Sequence, residues 1–234
     1  MPDSSPAIVL IPGIWVGPNI YDEVSLKLQA QGYLNTTIAL PSTGHRSPGN
    51  PTMHDDEAFI RSKLVELIES EQREVLMVMH SAGGFLGTSS VQNLSKQARA
   101  ARGLKGGVVG LVFLSAVLVE AGYVHDETPF FFDVNDETGE MNCVDPKRTL
   151  FNDMDEKSTA KWMKELSSQP ARGWGLATEY VGFREAPSIE LAGLAGSRVE
   201  RCAAGHMPML SMPDTVVDVI VGAAKEFGLS EDTS

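Results

Sequence analysis

The chain has 234 residues, of which 42% are hydrophobic and 21% charged, with a formal net charge of −12 and a pI of about 4.8. This length and balance predict a single globular domain spanning residues 1–234. Because nucleic acids and anionic membranes attract basic surfaces, the acidic charge argues against both and leaves a small molecule as the expected partner.

A membrane span and a metal site are not predicted. The sequence contains no run of about 18 apolar residues, and its N-terminus lacks a basic region followed by a long apolar stretch. We therefore expect a cytoplasmic protein. Cys143 and Cys202 are far apart in the sequence and are expected to be free thiols. No CxxC pair, HExxH motif or His/Cys cluster suggests a metal.

Apolar runs alternate with amphipathic segments along the first half of the chain. Short apolar, β-rich runs that end at Pro, Gly or a loop predict buried strands, and apolar residues at helical spacing predict helices. Strands that alternate with helices indicate an α/β fold with a parallel sheet buried on both faces. The predicted strands are 7–11, 35–40, 74–79 and 108–119, the predicted helices are 21–31, 55–70 and 83–94, and 96–107 is predicted to be a loop.

The pattern changes after residue 119. Residues 120–175 are acidic and aromatic and predict a small helical cap inserted over the edge of the sheet, with an amphipathic helix at 155–166. Residues 198–202 predict a last short strand, and residues 214–227 predict a closing helix.

The stretch Met79-His80-Ser81-Ala82-Gly83 follows a predicted strand and precedes a predicted helix. It matches the G-x-S-x-G nucleophile elbow except that Met79 replaces the first glycine. Ser81 would then lie at a helix N-terminus, where free N–H groups favour an oxyanion. The alternative is a serine that only caps the helix. The strand and the small residues after Ser81 favour a nucleophile.

His206 follows the last predicted strand and precedes the closing helix, which is where a general base stands in this kind of fold. A hydroxyl nucleophile needs such a base because its own pKa is far above neutral. The other histidines fit less well, since His45 and His54 lie in or near a loop, His80 belongs to the elbow and His125 opens the cap. The alternative for His206 is a structural loop histidine.

The loop after the first strand, Pro12-Gly13-Ile14-Trp15, is expected to contribute to the oxyanion hole. The backbone N–H groups of Ile14 and Ala82 are its predicted donors. Trp15, His80 and Phe131 are predicted to contact the substrate. The aromatic cap residues suggest an apolar or aromatic substrate, although such residues also serve simply as packing.

Several stretches together resemble a known family, namely VLIPGIWVGPNIYDEV, VLMVMHSAGG, GGVVGLVFLSA, LFNDMDEKSTAKW and VERCAAGHMPMLSMP. They are similar to small α/β-hydrolases common in fungi, which are related to plant methylesterases and hydroxynitrile lyases. The resemblance covers residues 7–227. It implies an α/β-hydrolase fold of a mostly parallel sheet with helices on both faces and a small helical cap, no cofactor, and a Ser–His–Asp triad.

One departure from the family concerns the triad acid. After a segment like residues 179–188, the family has a strand that ends in the triad Asp, and that strand is missing from this sequence. The acid therefore cannot be assigned by matching. Glu120, at the end of the strand after the elbow helix, and Glu185 are the two ranked candidates, and Glu190 comes next. Asp153 is expected to cap the helix that starts at Asp155 or to organise the cap.

The resulting prediction is a serine hydrolase that cleaves a small ester, thioester or lactone through an acyl-enzyme. The alternatives are a lyase-like catalyst, a ligand-binding member or a chain that has lost activity with the missing strand. The lyases commonly use a Lys near the His, and none occurs here between Lys164 and Lys225. The fold alone does not choose among these functions.

Overall fold

A computed structural model of the protein describes residues 5–47, 49, 51–172, 174–182, 188–189 and 199–228. Its strands are β1 (Ala7–Ile11), β2 (Asn35–Thr37), β3 (Glu74–His80), β4 (Gly107–Leu114), β5 (Phe132–Asn135), β6 (Glu140–Cys143), β7 (Gln169–Pro170) and β8 (Ser188–Ile189). Five of these form a central sheet in the order β2-β1-β3-β4-β8, and each neighbouring pair is parallel. The predicted α/β class with a parallel sheet is confirmed.

Helices connect the strands and cover the sheet. They are α1 (Asp22–Ala30), α2 (Met53–Val65), α3 (Gly83–Ser89), α4 (Lys96–Ala100), α5 (Pro146–Thr149), α6 (Glu156–Glu165), α7 (Pro208–Ser211) and α8 (Pro213–Gly228). A 3₁₀ turn (Pro18–Tyr21) precedes α1, and a π-helical turn (Glu66–Ser70) continues α2. The main contacts between helices pair α1 with α8 and α2 with α3. Within the described ranges, no helix is both long and apolar enough to cross a membrane.

The central strands form because their residues are apolar without interruption. Every residue of β1 and β4 is buried, and only the first residue of β3 is not. Such runs are typical of parallel strands with both faces covered. At the carboxyl end of the sheet, Ile11 of β1 and Phe113 of β4 are both paired with Met79 of β3. This register brings the segments that follow β1 and β3 side by side.

Several predicted boundaries differ from the structure. Residues 96–107 were expected to be a loop, but Ser95 caps the N-terminus of α4 by accepting a hydrogen bond from the Ala98 N–H, so Lys96–Ala100 is helical. The last strand was predicted at 198–202, yet 199–202 contain no strand. The position beside β4 is instead taken by β8, which pairs with Leu111 and Val112.

The segment predicted as a helical cap contains both helices and a sheet. The α5 and α6 helices lie in it, and so do β5, β6 and β7, which form a three-stranded antiparallel sheet in that order. This sheet is not predicted from the sequence, because its strands are only two to four residues long. The α6 helix begins one residue after its predicted start. Its N-cap is Asp155 and not Asp153, because the Asp155 carboxylate accepts hydrogen bonds from the N–H groups of Lys157 and Ser158.

Candidate active site

Ser81 lies on a sharp turn between β3 and α3. Its φ of 52° is in the left-handed region, which is uncommon for residues other than glycine. Conformations of this kind cost of order 1–3 kcal/mol and cluster at functional sites. The turn is short because β3 ends at His80 and α3 begins at Gly83. This strained strand–turn–helix geometry is that of a nucleophile elbow.

Two glycines allow the chain to pack tightly around this turn. A Cβ on Gly13 would lie 2.7 Å from the Cβ of Ser81, and a Cβ on Gly83 would lie 2.5 Å from the carbonyl oxygen of Pro12. Neither position has room for a side chain. The loop after β1 therefore lies directly against the elbow.

The His206 side chain reaches Ser81 from the other end of the chain. Its Nε2 lies 3.1 Å from the Ser81 Oγ, although 125 residues separate the two. Burial of the imidazole lowers the pKa of His206 from its ordinary value. The ring is therefore mostly neutral at pH 7, so one ring nitrogen is free to accept a proton.

The two predicted oxyanion-hole residues lie beside Ser81. Ile14 and Ala82 are buried and line the same cavity as Ser81 and His206. Within the described part of the chain, the backbone N–H groups of Ile14 and Ala82 donate no hydrogen bond. Such unpaired amides are uncommon in buried backbone, and they are suited to a developing negative charge.

The cavity has a volume of about 1110 Å³ and lies between the sheet and the segment 120–175. Its wall is mainly apolar and includes seven aromatic side chains, while Ser81, His206 and several acidic and basic side chains contribute polar atoms to it. This volume is slightly above the range of about 300–1,000 Å³ typical of small-molecule sites. The aromatic residues of the wall are Trp15, Phe85, Tyr123, Phe130, Phe131, Phe132 and Trp174.

Of the three residues predicted to contact a substrate, two line this cavity. The Trp15 indole N–H donates to the Met141 carbonyl oxygen at 3.0 Å, and the ring packs edge-on against Phe131 and Phe132. The prediction for His80 needs correction, because His80 is only 1% exposed and does not line the cavity. Its side chain instead bonds to the backbone of His206.

A triad acid is not found among the described residues. Across these ranges, no carboxylate forms a hydrogen bond or ion pair with the His206 imidazole. Glu120 is exposed and does not line the cavity. Glu185 and Glu190 lie outside the described residues. The described ranges also hold no group of three or more His, Cys, Asp or Glu side chains that could bind a metal ion, and Cys143 and Cys202 are free.

Comparison with known proteins shows the family of this chain. The sequence profile of the alpha/beta hydrolase family matches residues 8–219. The chain belongs to the alpha/beta hydrolase family. In this alpha/beta hydrolase the elbow, the loop after β1 and the loop before α7 occupy the places that carry the active site in the fold.

The relatives are named as hydrolases and esterases. This alpha/beta hydrolase is 28% identical over 248 residues to alpha/beta hydrolase nvfD of Aspergillus novofumigatus (strain IBT 16806), covering 94% of this chain and 97% of that protein. It is 28% identical over 124 residues to methylesterase 17 of Arabidopsis thaliana, covering 52% of this chain and 41% of that protein. A crystal structure of tomato methylketone synthase I with 2-tridecanone matches with a TM-score of 0.70, 12% identity and coverage of 95% and 99% of the two chains. At that identity the structural match shows the fold alone.

Two polar features of the site were not predicted from the sequence. The His125 ring lines the cavity, stacks on Phe85 with centroids 4.2 Å apart, and lies 2.8 Å from the Thr178 hydroxyl through its Nε2. The Asp153 carboxylate accepts a hydrogen bond from the backbone N–H of Gly205 at 2.6 Å. Both contacts join distant parts of the chain, so no local pattern could reveal them. The only signal was the placement of Asp153 in the family-like LFND stretch.

Proposed function

We propose that this protein is a serine hydrolase that cleaves an ester, thioester or lactone through an acyl-enzyme. The observation that carries the proposal is the 3.1 Å separation between the Ser81 Oγ and the His206 Nε2 at the wall of a large cavity. A nucleophile and its base must be within hydrogen-bonding reach of each other, and this pair is.

In the first step, the neutral His206 accepts the Ser81 hydroxyl proton on Nε2 while Oγ attacks the substrate carbonyl carbon. This role requires the tautomer with the proton on Nδ1, so that Nε2 carries the lone pair. The lowered pKa of His206 supports the role, because a base must be unprotonated at the working pH. The carbonyl oxygen gains negative charge and would accept hydrogen bonds from the Ile14 and Ala82 amides.

The tetrahedral intermediate then collapses with cleavage of the bond to the leaving group. His206 donates its proton to the departing oxygen or sulfur, and the acyl group stays on Ser81. Water, deprotonated by the same imidazole, attacks the acyl-enzyme, and the acid is released as Ser81 regains its proton. Atoms and charge balance over the cycle, which consumes one ester and one water.

The size and lining of the cavity support a bulky, largely apolar substrate. A volume of about 1110 Å³ is more than an ester as small as methyl acetate would fill, and seven aromatic side chains line the wall. The name methylesterase belongs to one relative and supports an ester in general terms.

A second candidate is a ligand-binding protein with little or no turnover. It is favoured by the absence of a carboxylate on the His206 imidazole among the described residues. Loss of the triad acid lowers kcat by about 10⁴ in a well-studied protease, because the base loses its tautomer and orientation. The elbow, the base and the free amides would remain and would still support slow acylation.

Labelling with a fluorophosphonate probe tests the proposal, because the probe phosphonylates an activated serine with loss of fluoride. We expect the wild type to be labelled, Ser81→Ala to be unlabelled and His206→Ala to be labelled far more slowly. The matched controls are Ser115→Ala, which removes another serine with positive φ, and His45→Ala, which removes an exposed histidine that does not line the cavity. Both controls should label within a few fold of the wild type. A folded wild type that is not labelled, or that is labelled equally after Ser81→Ala, would favour the binding role.

A further inference from the structure

The loop that carries His206 has no regular structure of its own. Residues 199–207 contain neither helix nor strand, and α7 begins only at Pro208. The position of the imidazole therefore depends on contacts that other segments make with this loop. Two such contacts involve the backbone on either side of the His206 side chain.

The first contact comes from the turn between α5 and α6. Asp153 Oδ2 accepts a hydrogen bond from the Gly205 N–H at 2.6 Å, which is short for an N–H donor and typical of a charge-assisted bond. A Cβ on Gly205 would lie 2.6 Å from Asp153 Oδ1 and would also meet the Asn152 side chain. Glycine at 205 thus allows the carboxylate to approach the backbone one residue before the base.

The second contact comes from the elbow. His80 Nε2 lies 2.8 Å from the carbonyl oxygen of His206, and a carbonyl can only accept, so the ring nitrogen donates. The N–H of Gly205 and the C=O of His206 are thereby held from two sides. One partner belongs to β3 and the other to the segment between the cap helices.

The surroundings of Asp153 keep its carboxyl ionised. Partial burial acts to raise its pKa, but the hydrogen bond from the Gly205 N–H and the influence of the nearby Ser211 hydroxyl outweigh that effect and lower it. The Ser211 hydroxyl itself donates to the Met207 carbonyl oxygen, so the Gly205 N–H is the hydrogen-bond donor to Asp153. Among the described residues, the Asp153 carboxylate forms no hydrogen bond or ion pair with the His206 imidazole, whose ring bonds to the Ser81 hydroxyl instead.

We propose that Asp153 is a positioning residue for the base, which fixes the backbone of the His206 loop through the Gly205 N–H. This inference rests on the proposed hydrolase function. Asp153 acts through the main chain, in contrast to a triad acid, which bonds directly to the imidazole. Its effect is therefore confined to reactions that use His206.

A double-mutant cycle with His206 separates this role from general stabilisation. We expect Asp153→Ala to slow fluorophosphonate labelling of Ser81 by about tenfold to a hundredfold, as small displacements of a catalytic group do. In a His206→Ala background, Asp153→Ala should cause no further loss, because residues that act as one unit are not additive. Asp155→Ala is the matched control. It removes a cap-segment carboxylate two residues away that bonds only to the start of α6, and it should label like the wild type.

Asp153→Asn supplies a second variant in both backgrounds and carries the test if Asp153→Ala does not fold cooperatively. The amide keeps an oxygen that can accept from the Gly205 N–H, so Asn should restore part of the labelling rate that Ala loses. Wild-type labelling in Asp153→Ala, equal losses with and without His206, or no rescue by Asn would each overturn the positioning role. These outcomes differ from failure of the hydrolase function, in which the wild type itself is not labelled at Ser81.

Discussion

The imidazole of His80 donates a hydrogen bond from Nε2 to the carbonyl oxygen of His206 at 2.8 Å, which ties the residue before the nucleophile to the residue that bears the base. The two rings lie 4.8 Å apart. His80 Nδ1 is buried and has no hydrogen-bond partner among the described residues. A proton on Nδ1 would therefore have no acceptor. Burial, reinforced by the nearby His206, lowers the pKa of His80 to about 3.

Because His80 is buried and neutral, we expect the free energy of unfolding to fall more steeply in acid than it would without this histidine. An unfolded histidine binds a proton below pH about 6.5, whereas the folded protein leaves His80 unprotonated down to pH about 3. Between these values the unfolded state binds more protons, so the free energy of unfolding falls as pH falls. The His80 contribution to the slope is at most about 1.4 kcal/mol per pH unit.

The His80→Gln variant provides the comparison, because its amide can still donate to the His206 carbonyl but does not titrate. Urea denaturation at intervals from pH 7 to pH 4 would measure the free energy of unfolding of both proteins. We expect the wild-type curve to fall more steeply with decreasing pH. Parallel curves would mean that His80 is protonated in the folded state at ordinary pH.

The pH dependence of labelling should report the ionisation of His206. Because only the neutral imidazole can accept the Ser81 proton, the labelling rate should fall as pH decreases through the pKa of His206. Burial lowers that pKa, so the midpoint should lie below 6.5, the ordinary value for histidine. His80 stays neutral over this range and does not contribute. A midpoint above 7 would show that a nearby negative charge stabilises the imidazolium.

Because the backbone of Ser81 is strained, we expect a substitution that relieves the strain to stabilise the protein while it removes activity. Ser81→Gly and Ser81→Ala both remove the hydroxyl, so both should abolish labelling. Glycine adopts φ near 52° without the steric cost that alanine retains. Ser81→Gly should therefore be more stable than Ser81→Ala by about 1 kcal/mol. Equal midpoints in thermal and urea unfolding would argue that the surrounding packing does not strain the elbow.

Features that depend on local pattern could be predicted from the sequence. The strands predicted at 7–11 and 74–79 are confirmed. They could be predicted because a short, uninterrupted apolar run in an α/β fold typically forms a buried strand. The elbow and the order of Ser81 before His206 were predicted from a motif with a geometric requirement. The structure brings these two side chains together, while their catalytic roles stay predictions.

Features that depend on distant contacts were not predicted, or were predicted wrongly. His80 was expected to contact the substrate, but its buried side chain does not line the cavity and bonds to the backbone of His206 instead. The bond between Asp153 and Gly205 spans 52 residues. Glu185 lies outside the described residues.

The lack of a side chain at Gly13 should be as important to labelling as the presence of a reactive side chain is at another position of the site. A Cβ at this position would lie 2.7 Å from the Ser81 Cβ and 3.2 Å from its Oγ, so the methyl group of Gly13→Ala has to displace the nucleophile, the loop after β1 or both. Overpacking of this kind costs about 1–3 kcal/mol in stability. Labelling should also slow by about a hundredfold, because Ser81 and the Ile14 amide would both move from their positions near the substrate.

Gly17→Ala is the matched control for Gly13→Ala. It lies in the same loop, but its Cβ would approach only the end of the Asn19 side chain, at 3.0 Å, and that side chain can move aside. We expect Gly17→Ala to label like the wild type and to unfold at nearly the same urea concentration. If Gly13→Ala kept wild-type labelling as well, the loop after β1 would have to be free to shift without disturbing Ser81. The Ile14 amide would then be a poor choice for one half of the oxyanion hole.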